Sequence, residues 1–108
     1  MEQTFRPVLT IRIFGEEKCF GPGVAVLLRK VRELHSLRAA AMSIGMAYSK
    51  AWKIINSIEK EFDVRLIDRE GAHGSHLTDE ARALIRQYHE ALDAADAAAQ
   101  AVFRKYYP

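Results

Sequence analysis

The stretch that decides the fold is Ser36-Leu-Arg-Ala-Ala-Ala-Met-Ser-Ile-Gly-Met-Ala-Tyr-Ser-Lys-Ala-Trp-Lys-Ile-Ile-Asn-Ser-Ile-Glu59, because it predicts two short helices joined at Gly45. Ser36 is a favourable N-cap for the first helix. The alanines at positions 39–41 let a second helix cross closely, and Gly45 stands where the turn between the helices needs a positive φ. This arrangement is the plan of a helix-turn-helix, and it usually indicates DNA binding.

The second helix, predicted over residues 47–61, separates an apolar face from a polar one. Its apolar residues recur at helical spacing, and Trp52 lies at the edge between the faces, where a large core anchor is the favoured interpretation. The polar side chains can reach phosphates or base edges. We therefore predict DNA contacts by Ala47, Tyr48, Ser49, Lys50, Lys53 and Asn56, with Arg38 contacting phosphate from the first helix.

The distribution of charge supports this prediction more than the net charge does. The formal charge is only +2, from 16 basic and 14 acidic residues. However, no acidic residue lies between Glu33 and Glu59, an interval that contains Arg38, Lys50 and Lys53. An acid-free basic interval on a helix pair is the pattern that a polyanionic partner requires.

Length and composition predict a single soluble domain over residues 1–108. One cysteine excludes an internal disulfide, and neither a signal peptide nor a membrane-length apolar run is present, which indicates a cytoplasmic protein without a membrane partner. The sequence contains no nucleophile elbow, phosphate-binding glycine loop or zinc-protease motif. We therefore predict that it is not an enzyme and has no cofactor.

Strands are predicted both before and after the helix pair in the sequence. The alternation in residues 8–14 predicts a half-buried strand of about seven residues, with Cys19 and Phe20 returning before a helix over about 23–35. Further on, residues 66–69 and 76–77 predict two strands around a glycine-containing loop, the layout of a wing over about 70–76. We predict that this region adds the DNA-binding residues Arg69, His73, Ser75 and His76.

His73 and His76 have a spacing that metal sites also use, and Cys19 or an acidic residue could complete such a site. Two histidines on a turn do not form a closed coordination shell, and no Cys-x-x-Cys accompanies them. We therefore predict no metal.

Thr78 is predicted to cap a long last helix over about residues 79–106. Its apolar residues alternate at spacings of mainly four and three, which approximates the seam of a coiled coil and favours pairing with a second copy. The alternative is an alanine-rich helix with high intrinsic propensity. The predicted dimerisation residues are Leu84, Tyr88, Leu92, Ala95, Ala99 and Val102.

Taken together, these segments resemble the N-terminal winged-helix domain of the molybdate-responsive ModE regulators, which is itself similar to the LysR-type DNA-binding domain. The matching pieces are residues 21–28, 36–41 and 45–52, Arg69, and Leu77 with Thr78. The run Gly-Met-x-Tyr-x-x-Ala-Trp at 45–52 is the most specific of them. The resemblance implies a homodimer on a palindromic operator, joined through the N-terminal strand and the last helix.

Three departures from the ModE pattern limit what the resemblance implies. Ala47 stands where the family usually has a serine, and the wing at residues 70–75 has fewer glycines than the family's typical loop. The chain given also ends at Pro108, before the oxyanion-binding domains. Molybdate sensing is therefore not expected, and any small-molecule effector is unknown. The sequence as a whole predicts a mainly α winged helix-turn-helix with a small β component, acting as a homodimeric transcriptional regulator on double-stranded DNA. The alternative is a winged-helix module that binds another protein without DNA.

Overall fold

The computed structural model describes residues 5–69 and 74–107 of the 108-residue chain. Within them a short hairpin precedes three helices, and a second hairpin leads into a long fourth helix. The elements are β1 (Ile13–Phe14), β2 (Lys18–Phe20), α1 (Pro22–Leu34), α2 (Leu37–Ser43), α3 (Tyr48–Phe62), β3 (Ile67–Arg69), β4 (Ser75–Leu77) and α4 (Asp79–Tyr106). This is a winged helix-turn-helix, as predicted.

Local sequence fixes the boundaries of the helix pair. The Ser36 hydroxyl accepts a 3.0 Å hydrogen bond from the Ala39 amide, which caps α2. Gly45 adopts a φ of +67° in the turn after α2. The Met46 amide then donates to the Ala41 carbonyl over 2.8 Å, so that the chain reverses within a few residues. The predicted capping and turn residues are both confirmed.

One hydrophobic core joins α1, α2 and α3 to the second hairpin and to the first third of α4. Small residues on α2 and α3 let these two helices approach closely, as predicted for the alanines. Leu84 and Leu92 of α4 are half-buried against the same cluster. Its buried members are Phe20, Ala25, Leu27, Leu28, Val31, Leu37, Ala40, Ala41, Ala51, Ile55, Ile58, Leu66, Ile67, Leu77, Ala81, Ile85 and Tyr88.

The predicted seven-residue strand at residues 8–14 is wrong in its extent. Only Ile13 and Phe14 pair with β2, in an antiparallel register that is irregular. The predicted alternation between buried and exposed side chains is nevertheless confirmed, because Leu9, Ile11 and Ile13 are half-buried while Thr10 and Arg12 are exposed. One-sided burial gives the same period of two whether or not a neighbouring strand supplies a hydrogen-bonded ladder.

The structure corrects the position of Tyr88 in the predicted dimer seam. Its side chain is only 3% exposed and its ring packs edge-on against Phe20, with centroids 5.1 Å apart. Its hydroxyl donates a hydrogen bond to the Ile11 carbonyl. Tyr88 is therefore part of the core of its own chain and does not face a second copy. The N-terminal segment and the first hairpin cover this part of α4.

Beyond Leu92, α4 continues away from the core. Its 28 residues correspond to a length of about 42 Å at 1.5 Å per residue. Large apolar side chains remain exposed near its end, with Val102 at 50%, Phe103 at 42% and Tyr106 at 72%. No helix in the described part of the chain has the length and apolar character needed to cross a membrane.

Candidate nucleic-acid interface

The exposed face of α3 carries the polar residues predicted from the sequence. Ser49, Lys50, Lys53 and Asn56 are exposed, whereas Ala51, Ile55 and Ile58 on the opposite face are buried. Ala47 is exposed at the N-cap position and makes no side-chain cap hydrogen bond. The first turn of α3 contains no acidic residue. A cationic surface with short hydrogen-bonding side chains therefore projects from one side of the helix.

Arg38 of α2 is held beside this surface by a cation–π contact. Its guanidinium carbon lies 4.1 Å from the centroid of the Tyr48 ring. Tyr48 in turn packs edge-on against Trp52, with ring centroids 6.2 Å apart. Because both aromatic side chains are half-buried, they form a fixed support that positions the exposed Arg38 side chain next to the start of α3. Trp52 occupies the predicted edge between the two faces.

The second hairpin forms the base of the wing. In β3 and β4, Ile67 pairs with Leu77, Asp68 with His76, and Arg69 with Ser75. The wing tip at residues 70–73, including the predicted contact His73, and the side chain of Arg69 lie outside what the structure describes. The wing predictions can therefore be examined only at Ser75 and His76.

Ser75 and His76 are half-buried and lie against the end of α1. The Ser75 amide donates a 3.0 Å hydrogen bond to the His35 carbonyl. The His76 and His35 rings contact each other, with centroids 5.6 Å apart. His35 itself ends α1 in the left-handed conformation, at a φ of +55°. These contacts fix the wing base relative to the helix pair, a relation that the sequence did not indicate.

Among residues 5–69 and 74–107, no group of three or more His, Cys, Asp or Glu side chains is arranged to hold a metal ion. The Cys19 side chain and His73, both considered as ligands from the sequence, lie outside the described set.

Arg12 was absent from the predicted DNA-binding residues. In the structure it lines a groove of about 630 Å³ together with Lys50 and Lys53 of α3. The alternation of the N-terminal segment correctly placed Arg12 on the exposed side. It carried no information on the distance between this segment and α3, because that distance depends on how the first hairpin folds back.

Comparison with known proteins agrees with this geometry. Residues 25–82, just over half of the chain, match the family model described as bacterial regulatory helix-turn-helix protein, lysR family. No curated protein sequence matched the chain.

Several solved structures are similar to this chain. The first is a complex of the CbnR DNA-binding domain with DNA, at a TM-score of 0.60 and 18% identity, covering 78% of this chain and 95% of that one. A complex of the BenM DNA-binding domain with catB site 1 DNA has a TM-score of 0.58 and 20% identity, covering 80% of this chain and 96% of that one.

The third structure is CbnR itself, a LysR family transcriptional regulator, at a TM-score of 0.57 and 20% identity. There the match covers 70% of this chain but only 26% of CbnR. At such identities the structural similarity establishes the winged-helix fold, while the family model establishes membership. The matched proteins are regulators and their DNA-binding domains, which are not enzymes. The chain belongs to the lysR family of bacterial regulatory helix-turn-helix proteins.

Proposed function

We propose that this protein is a sequence-specific, DNA-binding transcriptional regulator that acts as a homodimer, with residues 47–61 in the major groove and the wing at about 70–76 on the neighbouring backbone. The observation that carries the proposal is the exposed face of α3, where Lys50 and Lys53 stand beside Ser49 and Asn56. Lysine can donate either to guanine or to a phosphate, asparagine can pair with adenine, and serine suits either a base edge or a phosphate.

The electrostatics of this face favour a polyanion over a protein partner. Neither Lys50 nor Lys53 makes an ion pair with a carboxylate in the part of the chain that the structure describes. Such pairs would neutralise the surface and weaken its attraction for phosphate. The fixed guanidinium of Arg38 adds a third cation beside the start of α3. Two of the similar structures are themselves DNA complexes.

The run Gly-Met-Ala-Tyr-Ser-Lys-Ala-Trp at positions 45–52 supports a recognition helix of the ModE kind within the LysR-type fold. Gly45 supplies the positive φ of the turn, and the fully buried Ala51 permits close contact between helices. Tyr48 supports Arg38, and Trp52 supports Tyr48. Gly45 and Ala51 therefore allow the turn and the close helix crossing, Tyr48 and Trp52 position Arg38, and the exposed Ser49 and Lys50 can contact DNA.

The homodimer is proposed to form through the projecting part of α4. Leu92, Ala95 and Ala99 are half-buried along the predicted seam, and Val102 is half-exposed. The apolar side chains near the end of the helix are ones that pairing with a second copy would shield from water. A symmetric dimer would present two α3 helices to a palindromic site. Because it would act on DNA, we expect the protein to be located in the cytoplasm.

The decisive experiment selects bound sequences from a random duplex pool, because it tests DNA binding and returns the half-site spacing together. A variant carrying Lys50→Glu and Lys53→Glu should lose duplex binding at moderate salt while keeping its fold and its oligomeric state. Arg86→Glu with Lys105→Glu, an equal change of charge on α4, provides the matched control and should retain binding. Unchanged affinity of the α3 variant would contradict the proposal. Absence of salt-dependent duplex binding by the unmodified protein would favour a protein-interaction module.

A further inference from the structure

A groove runs along the side of α3 that faces the first hairpin and the start of α1. Three cationic side chains line it, those of Arg12, Lys50 and Lys53. Half-buried apolar side chains form much of the remaining lining, including Val24, Met46 and Ile54. The groove has a volume of about 630 Å³, and its three cationic residues are exposed to solvent. Its lysines are the same two that stand on the exposed face of α3, so the groove is continuous with that face.

The charge of the groove is uncompensated. No carboxylate is among the described residues that line it, and the first turn of α1 contains no acidic residue. Within residues 5–69 and 74–107, Arg12, Lys50 and Lys53 make no ion pair. The carboxylate of Glu61 lies near the hairpin but accepts hydrogen bonds from the backbone amides of Glu16 and Glu17. Three neighbouring cations that pair with no carboxylate among the described residues raise the local positive potential and favour an anion from outside the chain.

We propose that this groove binds the sugar-phosphate backbone of one DNA strand at the edge of the major groove, with Arg12 as a phosphate contact outside the helix-turn-helix. The inference rests on the proposed function and extends its interface from α3 to the N-terminal segment. A DNA strand fits both properties of the groove, because its phosphates match the cations and its deoxyribose rings can pack on the apolar lining.

Gly21, the residue directly before α1, leaves room for the Arg12 side chain in this arrangement. A Cβ atom added at Gly21 would lie 3.3 Å from Cγ of Arg12, closer than an ordinary van der Waals contact. Glycine at this position therefore lets the Arg12 side chain lie across it, beside the lysines of α3. Pro22 begins the helix directly after it, as its fixed φ favours. Gly21 thus leaves space for the arginine to reach into the groove.

The test compares Arg12→Gln with the unmodified protein by measuring affinity for the selected operator duplex at several salt concentrations. Loss of one phosphate contact should reduce the slope of log K against log salt by about 0.9 per protomer. At about 0.1 M salt, the same relation predicts an affinity about eightfold lower for each protomer that loses the contact. Arg12→Lys should retain the slope, because it keeps the charge. Arg6→Gln, an exposed arginine in the same N-terminal segment, is the matched control and should bind as the unmodified protein does.

Circular dichroism should show that Arg12→Gln folds normally, since the side chain is exposed. An unchanged affinity and slope for Arg12→Gln, with tight binding by the unmodified protein, would overturn the inference and leave the proposed function intact. A lower affinity with an unchanged slope would also overturn it, because Arg12 would then act without contacting phosphate. If the unmodified protein bound no duplex at all, the proposed function itself would fail.

Discussion

The hydroxyl of Tyr88 donates a 3.0 Å hydrogen bond to the backbone carbonyl of Ile11, 77 positions earlier in the chain. This contact ties the N-terminal segment to α4, and the Tyr88 ring packs on Phe20 at the end of the first hairpin. The segment that carries Arg12 is therefore held in place from a point on α4, far from α3 in sequence. Contacts between distant elements of this kind position Arg12 beside Lys50 and Lys53 of α3.

Tyr88→Phe should lower the free energy of unfolding by about 1 kcal/mol, because the Ile11 carbonyl loses its donor while the ring packing is retained. Urea unfolding followed by circular dichroism measures this change. Tyr106→Phe is the matched control, since Tyr106 is 72% exposed and its substitution should leave stability unchanged. If Tyr88→Phe and Tyr106→Phe were equally stable, the hydrogen bond would contribute nothing to the free energy of unfolding.

Gly74→Ala should destabilise the fold by about 1–3 kcal/mol. Gly74 has a φ of +82°, and a Cβ atom there would lie 2.3 Å from the His35 carbonyl oxygen, so that the wing base would have to move away from the end of α1. Thermal unfolding provides the measurement.

Gly23→Ala serves as the control for Gly74→Ala, because beyond its chain neighbours and its own helix backbone no atom lies within 4 Å of the added methyl group. In a helical position this change should be neutral, or should stabilise by less than about 1 kcal/mol. A Gly74→Ala protein as stable as the unmodified one would contradict the close approach of the wing to His35.

The contact between Arg38 and Tyr48 should appear as a coupling energy of about 0.5–1 kcal/mol in a double-mutant cycle of Arg38→Gln and Tyr48→Leu. Chemical unfolding of the four proteins measures it. DNA affinity should fall in both single variants, because Arg38 loses either its charge or its support. Additive effects on unfolding would show that the ring does not hold the guanidinium.

Val102→Glu should shift the protein from dimer to monomer without unfolding it, because a charge would enter the apolar seam of α4 while the side chain is already half-exposed in a single chain. Sedimentation velocity at micromolar concentration measures the change. Ala97→Glu, an exposed position on the opposite side of the helix, should leave the dimer intact. A monomeric unmodified protein under these conditions would refute the dimer.

Local sequence was sufficient for the parts of the molecule whose geometry depends on neighbours in the chain. Ser36 and Thr78 predicted two helix starts, because a hydroxyl caps amides only three residues away. Gly45 predicted the turn of the helix pair, because its positive φ is a local property. Helical periodicity predicted the exposed residues of α3, because it separates a buried face from a solvent-exposed one within a single element.

Periodicity predicted that a face would be covered but could not identify what covers it. The alternation in residues 8–14 suggested a long strand, whereas only Ile13 and Phe14 have a strand partner. The seam pattern of α4 included Tyr88 because its spacing is the same as that of residues facing a second helix. Its burial against Phe20 depends on the folding of a hairpin more than 60 residues away in sequence.

The sequence by itself thus determined the helix-turn-helix, its caps and the polar face of α3, all set by interactions within about four residues. Only the tertiary structure decided that Tyr88 belongs to the core, that His35 anchors the wing base, and that Arg12 lies beside Lys50 and Lys53. The physical reason is that these relations depend on how separate elements pack together. A pattern in one segment specifies which side is apolar, but the three-dimensional arrangement specifies its neighbours.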